Sequence, residues 1–317
     1  MERNRPGCQR KASETLAPRS GSKRLGCGTG VPPVNHAQDA RATYGKRDAC
    51  TSKMRNLYTQ IRSFWDSQPC GTTHINLPPQ SREYFVEFDK FFEAFYPYYL
   101  PFLNLEAMRG KRVMEIGLGS GFSLHRIAEV AKDAFGLDLS GNTIELNRAR
   151  DRHFNLGLNL INASATKIPL ADNSLDFVVS VGCLHHIPEI AAAVDEIHRV
   201  LKPGGVFKGM VYNRHSYRYH IYIPLSRRLN AQWHGKTRED LVNEIYDGSG
   251  NPYGTVYSKR EIAELFRNFK ILNFHTENFV GEEILPVYGG RIPRKVWLKT
   301  FGKVAGLDLY FTARARK

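Results

Sequence analysis

What this sequence lacks narrows it first. No run approaches the roughly 20 apolar residues that a membrane-crossing helix needs. The residues after Met1 are polar and basic, without the apolar core of a secretory signal. The five cysteines, Cys8, Cys27, Cys50, Cys70 and Cys183, are odd in number, and no two stand in CxxC spacing. That argues against a disulfide framework and against a zinc site, so no metal is expected. No Lys/Arg block of the kind that makes a nucleic-acid arm follows Met54, and no nucleic-acid partner is expected. There is no internal repeat. A cytoplasmic protein without a membrane span is the simplest reading.

What is present is an ordinary globular composition. The chain has 317 residues, 42% of them apolar and 11% aromatic, enough for a sizeable core. The formal charge of +14 is uneven: residues 1–53 hold 11 Lys/Arg against 4 Asp/Glu, half of the total. This first segment is rich in Arg, Lys, Gly, Ser and Pro and shows no apolar period. It reads as a disordered extension foreign to the fold, with Met54 as the true start. Residues 54–105 read as a helical N-terminal cap. A helix is predicted over 54–66, then a proline-bearing loop over 67–80, then an aromatic helix. In that helix Phe85, Phe88, Phe92 and Phe95 share one face, and Pro97 ends it. The face is expected to pack on the core; a roof over a substrate pocket is the alternative.

From residue 111 to 212 strands alternate with helices. Strands are predicted at 113–116, 134–137, 158–161, 175–181 and 206–212, and two more at 271–275 and 307–312. Helices are predicted at 142–153 and along Ile190, Val194, Ile197 and Leu201, the latter stopped by Lys202-Pro203-Gly204-Gly205. This order predicts an α/β fold: a doubly wound, mostly parallel seven-stranded sheet covered on both faces. The domain is expected to run over 106–317, with the polar, weakly periodic residues 214–265 inserted as a lid.

The chemistry concentrates at strand ends. The first strand, which carries Glu115, runs into Gly117-Leu118-Gly119-Ser120-Gly121 and then a helix. Glycines belong where the backbone turns sharply or a ligand comes close to it. A dinucleotide fingerprint would need glycine at 122, and Phe122 stands there, which disfavours a dehydrogenase. Asp138 ends the next strand, 21 residues after Gly117, followed by Leu139. An acidic residue so placed accepts hydrogen bonds from ribose hydroxyls. His185 and His186 lie just past the fourth strand and Tyr212 ends the fifth, at the carboxyl edge where open α/β sheets bind ligands. An imidazole suits base work near neutral pH; the alternative is that the histidines are structural hydrogen-bonders. Tyr217, Tyr219, His220, Tyr222, Trp233 and His234 make an aromatic patch in the lid without metal-ligand spacing. Arg227 and Arg228 could meet an anion, though paired arginines are more often solvated surface.

The segment Glu115-Ile116-Gly117-Leu118-Gly119-Ser120-Gly121 resembles the first motif of the class I S-adenosylmethionine-dependent methyltransferases, in particular the ubiquinone/menaquinone-biosynthesis type that acts on small molecules. Asp172-Asn173-Ser174-Leu175-Asp176, Leu184-His185-His186-Ile187 and Arg199-Val200-Leu201-Lys202-Pro203-Gly204-Gly205 are similar to further family motifs, so the resemblance covers roughly residues 106–212. Residues 64–71, with Ser81-Arg82-Glu83-Tyr84-Phe85, are similar to an N-terminal extension in a bacterial subgroup. The resemblance implies the Rossmann-like methyltransferase fold and S-adenosyl-L-methionine as cofactor. Its aminoacyl part would lie on the glycine turn, its ribose on Asp138 and its adenine by Ser164 and Ala165. Ser164 stands where the family usually has an aspartate, which removes one charge-assisted hydrogen bond. A small-molecule acceptor is expected; an RNA or protein acceptor, or an inactive cofactor-binding relative, are the alternatives.

Overall fold

Short apolar strands joined by amphipathic helices settle into one sheet with helices on both faces. The computed structural model describes residues 37–68, 75–283 and 289–317. The chain falls into two units, residues 1–60 and 61–317. In the first, the described backbone is helical from Ala37. It is the upstream part of α1, Ala37–Ser67, which contains the helix expected over 54–66. The rest of the expected disordered extension, residues 1–36, lies outside the described residues.

The second unit holds the sheet: β1 Arg112–Ile116, β2 Asp133–Asp138, β3 Asn159–Asn162, β4 Leu175–Val181, β5 Leu201–Tyr212, β6 Phe269–Glu277 and β7 Asp308–Ala315. The helices that follow α1 are α2 Arg82–Phe95, α3 Tyr99–Leu103, α4 Phe122–Ala128, α5 Gly141–Phe154 and α6 Ile190–Val200. After them come α7 Ile223–Leu229, α8 Arg238–Asp247, α9 Lys259–Leu265, α10 Arg294–Lys299 and α11 Phe301–Ala305. The strand order is β3-β2-β1-β4-β5-β7-β6, parallel from β3 to β5 and antiparallel at β7 and β6. The expected seven-stranded, mostly parallel sheet is what forms. Among the described residues no helix is long and apolar enough to cross a membrane.

Alternation along the strands builds two cores. Met114, Phe135, Val178 and Phe207 face α6 and α9, meeting Ile197, Ile262 and Phe266. Val113, Ala134, Val179 and Met210 face the other way, onto Phe88, Phe102, Leu103, Phe122 and Leu124. Phe88 of the aromatic helix α2 is thus core, with Tyr84 and Phe85 fully buried beside it. Ser81 caps α2 by accepting from Tyr84 N–H at 3.1 Å, and the helix stops before Pro97. One boundary differs from expectation. β5 begins at Leu201, not 206, because residues 202–205 bulge within the strand: Leu175 pairs with Leu201 and Phe177 already with Val206. The family-like motifs there are braces. Asp176 accepts from Arg112 N–H at 2.9 Å and from Lys202 Nζ at 2.8 Å, while Arg199 donates to the Ile168 and Leu170 carbonyls, both at 2.8 Å.

Candidate functional site

All parallel strands deliver their carboxyl ends to one edge, and the direction of winding reverses between β1 and β4. A crevice opens at such a switch point. The glycine turn sits there. Gly117, Gly119 and Gly121 have φ of +82°, +50° and +79°, a region costly for any residue with a Cβ. Space also forbids side chains: a methyl on Gly117 would lie 2.4 Å from Cys183 Cβ, and one on Gly121 would lie 2.0 Å from Asn147 Oδ1. The turn is held from outside by α5. Asn147 Nδ2 donates to Gly119 O at 3.1 Å and Arg150 Nε to Ser120 O at 2.9 Å. Arg150 is fully buried; it forks onto Asp89 of α2 at 3.0 and 2.8 Å and lies over the Phe85 ring. Phe122, where a dinucleotide fingerprint has glycine, packs against Phe92 with ring centroids 4.6 Å apart.

Asp138 is tied to the same turn. Its Oδ2 accepts from Leu118 N–H at 2.8 Å and its Oδ1 from Ser140 N–H at 2.8 Å. Burial pushes its carboxyl up to about 6 in spite of these bonds. Asp66, in the last turn of α1, adds negative charge nearby and accepts from Ser140 Oγ at 2.7 Å. Glu115 on β1 is buried. Ser123 Oγ donates to its Oε1, its Oε2 has no hydrogen-bond partner, and burial pushes its carboxyl up to about 8. Leu139 follows Asp138 and is half-buried; Asn162 Nδ2 donates to the carbonyls of both residues, at 3.0 and 3.1 Å.

Ser164 and Ala165 follow β3, which pairs with β2. The Ser164 hydroxyl is engaged locally: it accepts from Thr166 N–H at 3.2 Å and lies 2.8 Å from Thr166 Oγ1. Ala165 is buried.

The remaining predicted residues meet beyond β4 and β5. His185 is completely buried, and neither ring nitrogen has a hydrogen-bond partner. Burial holds its pKa well below the ordinary imidazole value, so the ring is neutral. The Tyr212 ring lies against it, centroids 3.8 Å apart. His186 is oriented on both edges: Nδ1 donates to the Tyr253 carbonyl at 2.9 Å, and Nε2 stands 3.6 Å from Asp247 Oδ1. Burial opposes charging of His186, but the Asp247 carboxylate outweighs it and raises the pKa. Tyr212 Oη donates to the same Asp247 oxygen, and Asn251 Nδ2 donates to the other at 2.9 Å. Trp65 meets the His186 ring edge-on, centroids 5.0 Å apart.

Sequence reasoning missed Asp247, Trp65, Cys183 and Arg150. Asp247 lies in the weakly periodic lid, where nothing separates one acid from another. Cys183 packs under Gly117, and desolvation pushes its thiol up to about 12. Arg150 reads as one more cation on α5; only its complete burial distinguishes it.

Residues 114–208 match a family model described as a methyltransferase domain. A Mycolicibacterium smegmatis S-adenosylmethionine-dependent methyltransferase is 34% identical over 154 residues, covering 46% of this chain and 56% of the relative. A fatty-acid O-methyltransferase of the same organism is 34% identical over 100 residues, 32% of this chain and 36% of the relative. A Staphylococcus haemolyticus demethylmenaquinone methyltransferase is 30% identical over 100 residues, 31% and 41% of the two chains. The chain thus spans about half the length, or less, of these relatives. Among solved structures, a Haloferax volcanii methyltransferase in complex with the Trm112 activator shares the fold, with a TM-score of 0.50 at 21% identity over 72% of this chain and 94% of that one. The matched segment, residues 114–208, is similar to a methyltransferase domain and forms the β1–β5 part of the seven-stranded sheet.

Proposed function

We propose that the chain moves a methyl group from S-adenosylmethionine to a small-molecule acceptor by direct displacement, at the carboxyl edge of β1, β2, β4 and β5. The single observation that carries this is the locked pair of glycine turn and Asp138. The residues fit the cofactor: the positive-φ glycines leave backbone unshielded by Cβ atoms, and Asp138 keeps lone pairs for the ribose hydroxyls beyond its two backbone bonds. Glu115 supports the turn from beneath. Leu139, Ser164 and Ala165 line the adenine end, where the Ala165 N–H compensates for the locally engaged Ser164 hydroxyl. When bound, the sulfonium supplies an electrophilic methyl group and departs as a neutral thioether.

Positioning and exclusion of water then account for most of the rate. Where the acceptor must lose a proton, His185 is the candidate to take it, since it lies just past β4 and its ring nitrogens have no hydrogen-bond partner. Tyr212 and His186 orient the acceptor side through Asp247. Small acceptors are supported by the names of the relatives, which act on a fatty acid and on demethylmenaquinone.

The test is calorimetry with S-adenosylmethionine and S-adenosylhomocysteine on wild type and Asp138→Ala. Loss of about 1–3 kcal/mol in the variant is expected. Equal affinity in both removes Asp138 from the site, and no binding to either removes the proposal.

A further inference from the structure

The distribution of acids over the sequence is uneven in a way the methyl-transfer site does not use. No Asp or Glu occurs between Glu196 and Glu239, and none between Glu283 and Asp308. Each acid-free run contains a helical segment with apolar side chains in solvent. In the first, a wide helical turn, Arg218–Tyr222, runs into α7. Tyr219 and Ile223 point inward onto Leu241 and Val242 of α8. Ile221, Leu225 and Leu229 recur every four residues on the outside and are 54%, 53% and 74% exposed. In the second, Phe301 and Val304 of α11 are 54% and 80% exposed.

Scattered exposed apolar residues are normal, but clustering is not. Five of the eight large exposed hydrophobics among the described residues fall in these two segments. The segments also share a base. Tyr217, just before the turn, packs on Phe279 at 4.2 Å, and Phe279 meets Phe301 at 5.7 Å. Around the apolar crest Arg218 is paired with Glu283 and Lys303 with Glu277, so the unpaired charge is cationic. Arg227 and Arg228 are exposed and have no carboxylate partner among the described residues, and Lys295 and Lys299 are exposed on α10.

We propose that this face docks on an anionic lipid surface. Leu225, Leu229, Phe301 and Val304 enter the headgroup boundary, and Arg227 and Arg228 meet lipid phosphates. Apolar residues on one helix face flanked by cations are the physical requirement for such binding. A second copy of the chain is a poor occupant, because a two-fold contact would set the unpaired Arg227 and Arg228 of one copy against those of the other. The proposal stands independently of the methyl-transfer reading. One consequence does rest on that reading: α7 packs on α8, whose last residue is Asp247, so docking would address the lid beside the acceptor residues.

The experiment is sedimentation of the full chain with unilamellar vesicles of phosphatidylglycerol and phosphatidylcholine, against vesicles of phosphatidylcholine alone. Binding to the anionic vesicles that weakens with added salt is expected. The double variant L225E/L229E should lower the partition coefficient by about tenfold or more, with the melting temperature unchanged. Should that variant melt early, R227S/R228S serves instead and should abolish the preference for phosphatidylglycerol. Absence of binding to anionic vesicles, or binding that neither double variant lowers, overturns the proposal. So does a dimer in light scattering that L225E/L229E dissolves, which would assign the face to a second copy.

Discussion

The sheet edge is built in two ways. Around β1 and β2, the turn 117–121, Asp138 and Ser140 are tied mainly by backbone groups, and α5 clamps them with Asn147 and Arg150. Every partner there sits on or next to a regular element. Around β4 and β5, His186 and Tyr212 are met by groups from remote parts of the chain: the side chains of Trp65 and Asp247 and the Tyr253 carbonyl. The first arrangement tolerates little change, because backbone hydrogen bonds and forbidden Cβ positions fix it. The second can be rebuilt by altering a few lid residues without disturbing the sheet. A fixed ligand on the first half and a changeable one on the second is the division of labour this geometry permits.

The comparison breaks first if the rigid half proves soft. Arg150→Met leaves the buried Asp89 without its bidentate partner, with Arg126 remaining at 3.8 Å, and removes the hold on Ser120 O. A loss of about 3–5 kcal/mol in folding stability, read by denaturant titration, is expected. A loss under about 1 kcal/mol would show that the clamp is ornamental. Gly117→Val combines a forbidden φ with a clash against Cys183. We expect a loss of about 3 kcal/mol divided between stability and S-adenosylhomocysteine affinity, seen in melting and calorimetry.

The changeable half is tested by Asp247→Asn, which keeps the shape but removes the charge shared by Tyr212 and His186. Methyl transfer to an identified acceptor should fall about 100-fold while the cofactor dissociation constant stays put. A parallel loss of cofactor affinity would erase the division between the halves.

The smallest effect is a pH dependence with opposite signs in two assays. The folded-state pKa of Asp138 is raised from 3.8 to about 6. The folded chain therefore takes up a proton before the unfolded chain does, and this group favours folding more as pH falls from above 6 towards 3.8. The carboxylate proposed to accept ribose hydroxyls disappears over the same window. Cofactor affinity should fall below about pH 6 while the contribution of Asp138 to stability rises; affinity that holds down to pH 5 would mean that another group carries the ribose.

How much was legible follows the same division. The sheet could be read because its first strands are short apolar runs ending at a glycine or an acid, as at Ile116–Gly117 and Asp138. The glycine turn could be read because its conformation admits almost nothing else. The 202–205 bulge was hidden, since Pro and Gly read equally well as a helix stop and as an irregular strand start. Asp247 was hidden for a deeper reason. Its significance comes from Tyr212 and His186, which lie 35 and 61 residues away in sequence, and no periodicity connects them. The acceptor residues could be placed at an edge, but what surrounds them could not.

The position of β7 has a consequence for how the molecule comes into being. It is the last strand in the chain, yet it lies between β5 and β6 and pairs with both along their length. During synthesis β5 must wait as an open edge until β7 emerges, and β6 has no neighbour at all until then. Such pairing across the largest sequence separations is slow to form and exposed while it waits. The glycine-turn half can assemble co-translationally from neighbouring segments. The His185–Tyr212 half, anchored where Tyr212 pairs with Asp308, can close only once β7 has emerged, so a chain stalled before β7 would carry a formed glycine turn beside an unfinished β5 edge.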